Sequence, residues 1–253
     1  MYISKSLWLL LALISTCAAH GCKKICVLDN LECVTRGGFD VYKNVVKGVK
    51  GLLKPIDPLY INEIDGVIES VKYKLTNITM KGLKDCTVTK LKLNVTDSTF
   101  KQYLSCPKLM SHFHFKADEN SNSPALRLKY YATITAYDYD ILNLGKYSIF
   151  VKAHENRPHF FILNHETKTH IKGKLVFELS DSCVMDSRIA NETETYMNQH
   201  WKETEHSLHS YIVKQAMDIL INNIDIYIRA YDMGEVLPLH KPLIRKKWWL
   251  VHQ

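Results

Sequence analysis

The chain has 253 residues, 46% apolar and 23% charged, with 33 Lys+Arg against 26 Asp+Glu for a formal charge of +7. Those fractions exclude wholesale disorder, and only 10 Gly and 7 Pro exclude collagen-like and Pro/Gly-linker architectures. A basic balance suits nucleic acid, an anionic membrane or neither, so composition alone leaves the partner open.

Residues 1–19 read as an export signal. Lys5 supplies the positive start, Leu7 to Ile14 a short apolar run, and Cys17, Ala18 and Ala19 the small residues before a cleavage point that leaves His20 first. The run is shorter than the roughly 20 apolar residues that a spanning helix needs. Three Asn-x-Thr sequons, at Asn77, Asn94 and Asn191, fit the same route, so a secreted, extracellular glycoprotein is expected, with residues 20–253 as one domain. Beyond the signal, six cysteines remain: Cys22, Cys26, Cys33, Cys86, Cys106 and Cys183. In an oxidising compartment they read as up to three disulfides, and six thiols allow 15 pairings. The rival reading of Cys22-x-x-x-Cys26 and nearby histidines as a metal site suits that compartment less well.

The spacing predicts an amphipathic helix over residues 39–54. Tyr42, Val45, Val46, Val49, Leu52 and Leu53 form its apolar face. Lys43, Lys47, Lys50 and Lys54 make a stripe that reads as a solvated flank. Gly48 and Gly51 weaken this helix, and Pro55 is expected to end it.

From about Val71 to Leu179 the period changes to two. Leu126, Leu128, Tyr130, Ala132, Ile134 and Ala136 alternate with polar neighbours, as in a long antiparallel strand buried on one face. Leu91, Leu93 and Val95 do the same, as do Phe113 and Phe115, and then Ile171, Leu175, Phe177 and Leu179. Asn94 falls on an outward parity. Asn77 shares parity with the inward Tyr73 and Leu75, so either a bulge shifts the phase there or that sequon is unused. Turns are expected at residues 120–124 and 155–158. Long strands with so few breaks fit one large curved sheet better than a sandwich.

Residues 193–231 read as a single long helix of roughly 50 Å. Trp201, Leu208, Ile212, Ile219, Ile226 and Ala230 share a narrow sector, which Val213, Ala216, Leu220, Ile224 and Tyr227 widen. So apolar a helix must be covered on most of its circumference, and a sheet wrapped around it supplies the cover. The expected fold is α+β: a long helix wrapped by a strongly curved antiparallel β-sheet, in a single elongated domain.

Three motifs then occur in order: Cys26-Val-Leu-Asp-Asn-Leu-Glu-Cys33, Pro55-Ile-Asp-Pro-Leu59, and Asn77-Ile-Thr-Met-Lys-Gly-Leu83. With Leu142-Asn-Leu-Gly145 and the helix near Trp201, they resemble the insect juvenile-hormone-binding/takeout family of secreted hydrophobic-ligand carriers, within the lipid-binding tubular folds. The resemblance implies a disulfide between Cys26 and Cys33. It also implies an elongated apolar cavity between helix and sheet that holds a terpenoid or fatty ligand. Cys22, Cys86, Cys106 and Cys183 have no counterpart in it, and the basic, aromatic ending at residues 241–253 marks a divergent member.

Other function classes find little support. No Gly-x-Ser-x-Gly elbow, P-loop or Gly-x-Gly-x-x-Gly occurs, so neither an enzyme nor a cofactor is expected. His206-Ser-Leu-His209 with Glu203 and Glu205 lacks the His-Glu-x-x-His spacing and reads as a solvated helix flank, and His112-x-His114 as outward strand residues. Scattered lysines without stacking aromatics argue against a nucleic-acid partner. Arg245, Lys246, Lys247, Trp248 and Trp249 join cations to interfacial aromatics, the chemistry of a membrane or receptor contact. The expected function is a carrier whose cavity is lined by Phe113, Phe115, Tyr130, Ile134, Phe177, Ile212 and Ile219, with Gln215 or Asn222 meeting a ligand head group. The alternative is a secreted interaction protein of the same fold with a filled interior. Lys5 leaves with the signal, and most of the remaining positive charge falls on outward positions, where it coats an apolar interior.

Overall fold

The computed structural model describes residues 30–68, 71–117, 129–151, 158–180 and 187–231. Helix α1 (Leu31–Lys47) starts well before residue 39 because Asn30 caps it, its side chain accepting a hydrogen bond from the Cys33 N–H at 3.0 Å. It stops at Gly48, whose φ of +83° glycine alone adopts without strain, and not at Pro55. Tyr42, Val45 and Val46 are buried as the spacing predicts, whereas Leu52 lies past the helix end and is exposed. Lys43, Lys47, Lys50 and Lys54 are all exposed.

Seven antiparallel strands follow: β1 (Leu59–Ile68), β2 (Val71–Lys81), β3 (Thr87–Asn94), β4 (Thr99–Ala117), β5 (Lys129–Val151), β6 (Pro158–Ile171) and β7 (Leu175–Ser180). They make one curved sheet that does not close on itself. β1 precedes the predicted strand region. Its alternation slips once at Asn62–Glu63, and beyond Ile61 the inward residues Ile64, Gly66 and Ile68 are only half-buried, as suits an edge strand. The long central strands β4 and β5 each pair with two shorter ones laid end to end. β2 and β3 share one side of β4, while β6 and β7 share one side of β5, interrupted by a bulge at Lys172–Lys174 opposite Tyr137 and Asp138. At about 3.4 Å per residue, the 23 residues of β5 follow a path of roughly 75 Å. The Asn77 ambiguity resolves as a bulge. The β2–β4 register shifts between Thr76 and Thr79, Asn77 has φ of +53°, and its side chain is exposed. Asn94 and Asn191 are exposed too. Leu126, Leu128 and the turn at residues 120–124 fall outside the described residues, as do residues 155–157 of the second turn.

A knot of side chains holds the corner between β2 and β3, and two of the three motifs meet in it. Asp57 accepts hydrogen bonds from Gly82 N (3.2 Å) and Lys84 N (2.8 Å), Tyr42 Oη donates to the Leu83 carbonyl at 2.5 Å, and a Cys86–Cys106 disulfide ties the corner to β4. That pairing is one the sequence left open. Cys33 is disulfide-bonded as well, and Cys22, Cys26 and Cys183 fall outside the described residues.

The predicted C-terminal helix is there, but it is neither single nor uniform. α2 (Ser187–Gln199) ends at a corner on His200. α3 (Trp201–Thr204), a π-helical turn (Glu205–His209) and α4 (Ser210–Ala230) then run without a break, about 45 Å at 1.5 Å per residue. The π turn inserts a residue and rotates everything beyond it, so an apolar sector drawn for an unbroken helix misses. Val213, Ala216, Met217, Leu220, Ile221 and Ile224 are buried, while Ile226 and Ala230 are exposed. Side chains from α2 satisfy the outer edge of β7: Asn198 exchanges two hydrogen bonds with the Phe177 backbone, and Glu194 accepts from Leu179 N. Among the described residues no helix is long and apolar enough to cross a membrane.

Candidate ligand site

The inward faces of the strands and the buried face of α4 make one apolar interior, and its two ends are built differently. At one end aromatic rings from four strands close-pack. Tyr73 stacks on Phe115 (5.4 Å between centroids), Phe115 on Tyr130 (4.8 Å), and Phe177 meets Tyr130 edge-on at 6.2 Å. Phe113, Phe115, Tyr130, Ile134, Phe177 and Ile212 are all buried among these core side chains. Ile219 is half-buried. Gln215 and Asn222 are exposed on the outer side of α4 and do not adjoin the apolar seam, because the π turn has moved that seam.

The other end holds a cavity of about 90 Å³. α1 contributes Gly38 and Val41, and β3 contributes Leu91 and Leu93. Phe100 and Gln102 come from β4, Tyr147 from β5, Phe160 and Ile162 from β6, and Ile221, Ile224 and Ile228 from the last turns of α4. Gly38 matters because α1 lies close on β3: a Cβ there would stand 2.5 Å from a Leu91 methyl. Leu91 N donates to Thr35 Oγ1 at 3.1 Å, and Asn44 Nδ2 donates to Tyr227 Oη at 3.1 Å, so α1 is tied to both sheet and helix across this end. α4 is held down by Asp225, whose carboxylate accepts from Ile162 N at 2.6 Å, and by Asp218, 2.8 Å from His165 Nε2. None of the nine residues expected to line a ligand site or meet its head group borders this cavity. A broader open groove beside Leu31, Arg36, Phe39 and Thr89 is a mixed polar surface, not an enclosed site.

The lining is apolar except for one built polar feature. Thr167 Oγ1 donates to Asn143 Oδ1 (2.8 Å), and Asn143 Nδ2 donates to Gln102 Oε1 (3.1 Å), a buried ladder across β6, β5 and β4. Gln102, whose oxygen accepts from Asn143, is thus the amide side chain that lines the cavity. Tyr147 donates to the Asn94 carbonyl at 3.3 Å, and burial pushes its phenol up to about 12. These positions were legible in part. Gln102 shares parity with Phe100 and Leu104, and a polar residue at an inward position is itself a signal.

The π turn places a second polar group inside. His206 is exposed, as expected of a solvated flank, but His209 is fully buried. Its ring meets Tyr139 at right angles with centroids 5.2 Å apart, and neither ring nitrogen has a hydrogen-bond partner among the described residues. Burial pushes its pKa down to about 3, so the imidazole is neutral. Tyr139 Oη donates instead to Glu205 (2.5 Å), which also accepts from Thr169 at 3.4 Å. Burial, and after it the Glu205 charge, raises the Tyr139 phenol. Among the described residues no three His, Cys, Asp or Glu side chains converge to hold a metal ion.

The family model described as haemolymph juvenile hormone binding protein matches residues 8–238. The crystal structure of Takeout 1 from Epiphyas postvittana is similar with a TM-score of 0.75 at 16% identity, covering 84% of this chain and 98% of that one. A crystal structure of lipopolysaccharide binding protein matches with a TM-score of 0.33 and 10% identity over 69% of this chain and 37% of that one, too low to carry an argument. No curated protein matches the sequence.

Proposed function

Because the chain belongs to the haemolymph juvenile hormone binding protein family, we propose that it is a secreted, non-enzymatic carrier, a single domain binding one hydrophobic small molecule. The observation that carries the reading is the apolar cavity between α1, the end of α4 and strands β3 to β6, with the Gln102 amide as its polar contact. A hydrophobic molecule leaves water for such a space at about 25 cal/mol per Å² of apolar surface buried. One hydrogen-bond donor in an otherwise apolar lining fixes its orientation and selects an oxygen-bearing compound of terpenoid or fatty type over a plain hydrocarbon. The close-packed aromatics around Phe113, Phe115, Tyr130 and Phe177 serve as the closed end of the site, with Ile134, Ile212 and Ile219 behind them.

Residues 1–19 direct export, and the exposed Asn77, Asn94 and Asn191 accept glycans in this account. Arg245 to Trp249 lie outside the described residues. Their cations and indoles support a membrane or receptor contact, and removing residues 245–253 is expected to weaken adsorption to anionic vesicles at low salt.

Organic extraction of the purified protein followed by mass spectrometry tests the carrier reading. A near-stoichiometric apolar compound in the extract is the expected result. An empty extract, together with no saturable binding of a hydrophobic fluorophore, contradicts it and favours a surface-acting protein of the same fold.

A further inference from the structure

His209 is a costly residue to place where it lies. A neutral imidazole carries one donor and one acceptor, and burying either without a partner costs about 1–3 kcal/mol. A leucine there would cost nothing of the kind. The π turn Glu205–His209 is what swings this side chain inward against Tyr139, and single-turn π segments inside α-helices recur at functional sites.

Two independent elements give its distance from the cavity. Along α4, His209 precedes the cavity residue Ile221 by about 18 Å at 1.5 Å per residue. Along β4, Cys106, which pairs with the Tyr139 that touches His209, follows the cavity residue Gln102 by about 14 Å. Between the two levels α4 buries Val213, Ala216 and Met217 in the core, so a ligand that reaches the ring displaces these side chains, of which Met217 is the pliable one.

We propose that His209 is the inner hydrogen-bonding contact of an elongated ligand whose tail fills the cavity and whose inner end bears an uncharged oxygen, as hydroxyl, carbonyl or ester. This rests on the carrier reading. The inner end is uncharged because the local chemistry opposes an anion. The Glu205 carboxylate shares Tyr139 with His209, and a neutral ring offers a carboxylate no countercharge. The class is therefore a long-chain alcohol, ketone or ester, and not a free fatty acid.

Displacement of a hydrophobic fluorophore by 1-tetradecanol, tetradecane and tetradecanoate, with the full chain and its His209→Leu and His209→Gln variants, tests this. The wild type is expected to bind the alcohol about tenfold more tightly than the alkane or the carboxylate. His209→Leu is expected to bind alcohol and alkane alike, and His209→Gln to keep part of the preference. Thermal melts of the variants establish folding, and in the wild type the alcohol is expected to shift the imidazole nitrogen resonances of His209. Equal affinity for alcohol and alkane in the wild type overturns the inference while leaving the carrier reading intact, as does a preference that survives His209→Leu. Failure of all three compounds to displace the probe sinks the carrier reading itself.

Discussion

The two ends of the interior are made from the same kinds of residue in the same alternation, yet one is solid and the other hollow. Around Phe115 the rings of Tyr73 and Tyr130 stack on it, Phe177 meets Tyr130 edge-on, and all four are buried. Around Phe160 the neighbouring ring of Tyr147 stands tilted at 67°, and the facing helices bring Gly38, Val41 and isoleucines that do not fill the space. Alternation decides which way a side chain points. Whether the space it points into is filled depends on what the opposing helix offers at that level.

The contrast can be broken most strongly at the solid end. Phe115→Ala is expected to cost about 3–5 kcal/mol in urea unfolding, because the rings around it cannot collapse into the space. The same truncation of Ile224, at the edge of an existing cavity, is expected to cost clearly less. A loss at Ile224 as large as that at Phe115 would contradict the distinction.

His209 sharpens the comparison through pH. Its folded pKa of about 3 lies below the ordinary 6.5, so the unfolded chain binds the extra proton first. Stability from this group is complete above about pH 6.5 and is lost as pH falls toward 3, with a slope of up to about 1.4 kcal/mol per pH unit. His209→Leu is expected to flatten that slope and raise Tm at pH 5. An unchanged acid profile in the variant would show that the ring is not buried neutral.

Asn143→Leu is expected to cost about 1–3 kcal/mol, because it strands Thr167 and the Gln102 oxygen in the interior. Replacing all three ladder residues by apolar ones should recover much of that loss while lowering affinity for oxygen-bearing probes. If the single and triple changes are equally destabilising, the ladder is not acting as one network.

Period-two runs from Val71 to Leu179 and the apolar C-terminal segment made the helix-and-sheet architecture legible from sequence, and the inward parity of Phe113, Phe115, Tyr130 and Phe177 was legible too. The rest was hidden for specific reasons. Asn30 and Gly48 bound α1 through capping and a positive φ, and these local signals outweigh Pro55 as the end of the helix. The π turn resets the phase of α4, so Gln215, near the seam of an unbroken helix, lies outside, and His209, which the His206-Ser-Leu-His209 spacing reads as a solvated flank, lies inside. The cavity depends on where α1 crosses β3, a long-range packing fact with no local signature. Gln102 and Asn143 at inward parities were the sequence's best pointer toward it.

The central claim is that the space between α1, α4 and the sheet holds the ligand. Titrating a hydrophobic fluorophore into the wild type and into Val41→Phe tests it most directly, since the added ring fills the cavity and leaves the aromatic end untouched. Saturable binding by the wild type that Val41→Phe loses, with both proteins melting within a few degrees of each other, is the predicted result. Binding that persists undiminished in a folded Val41→Phe would contradict the account.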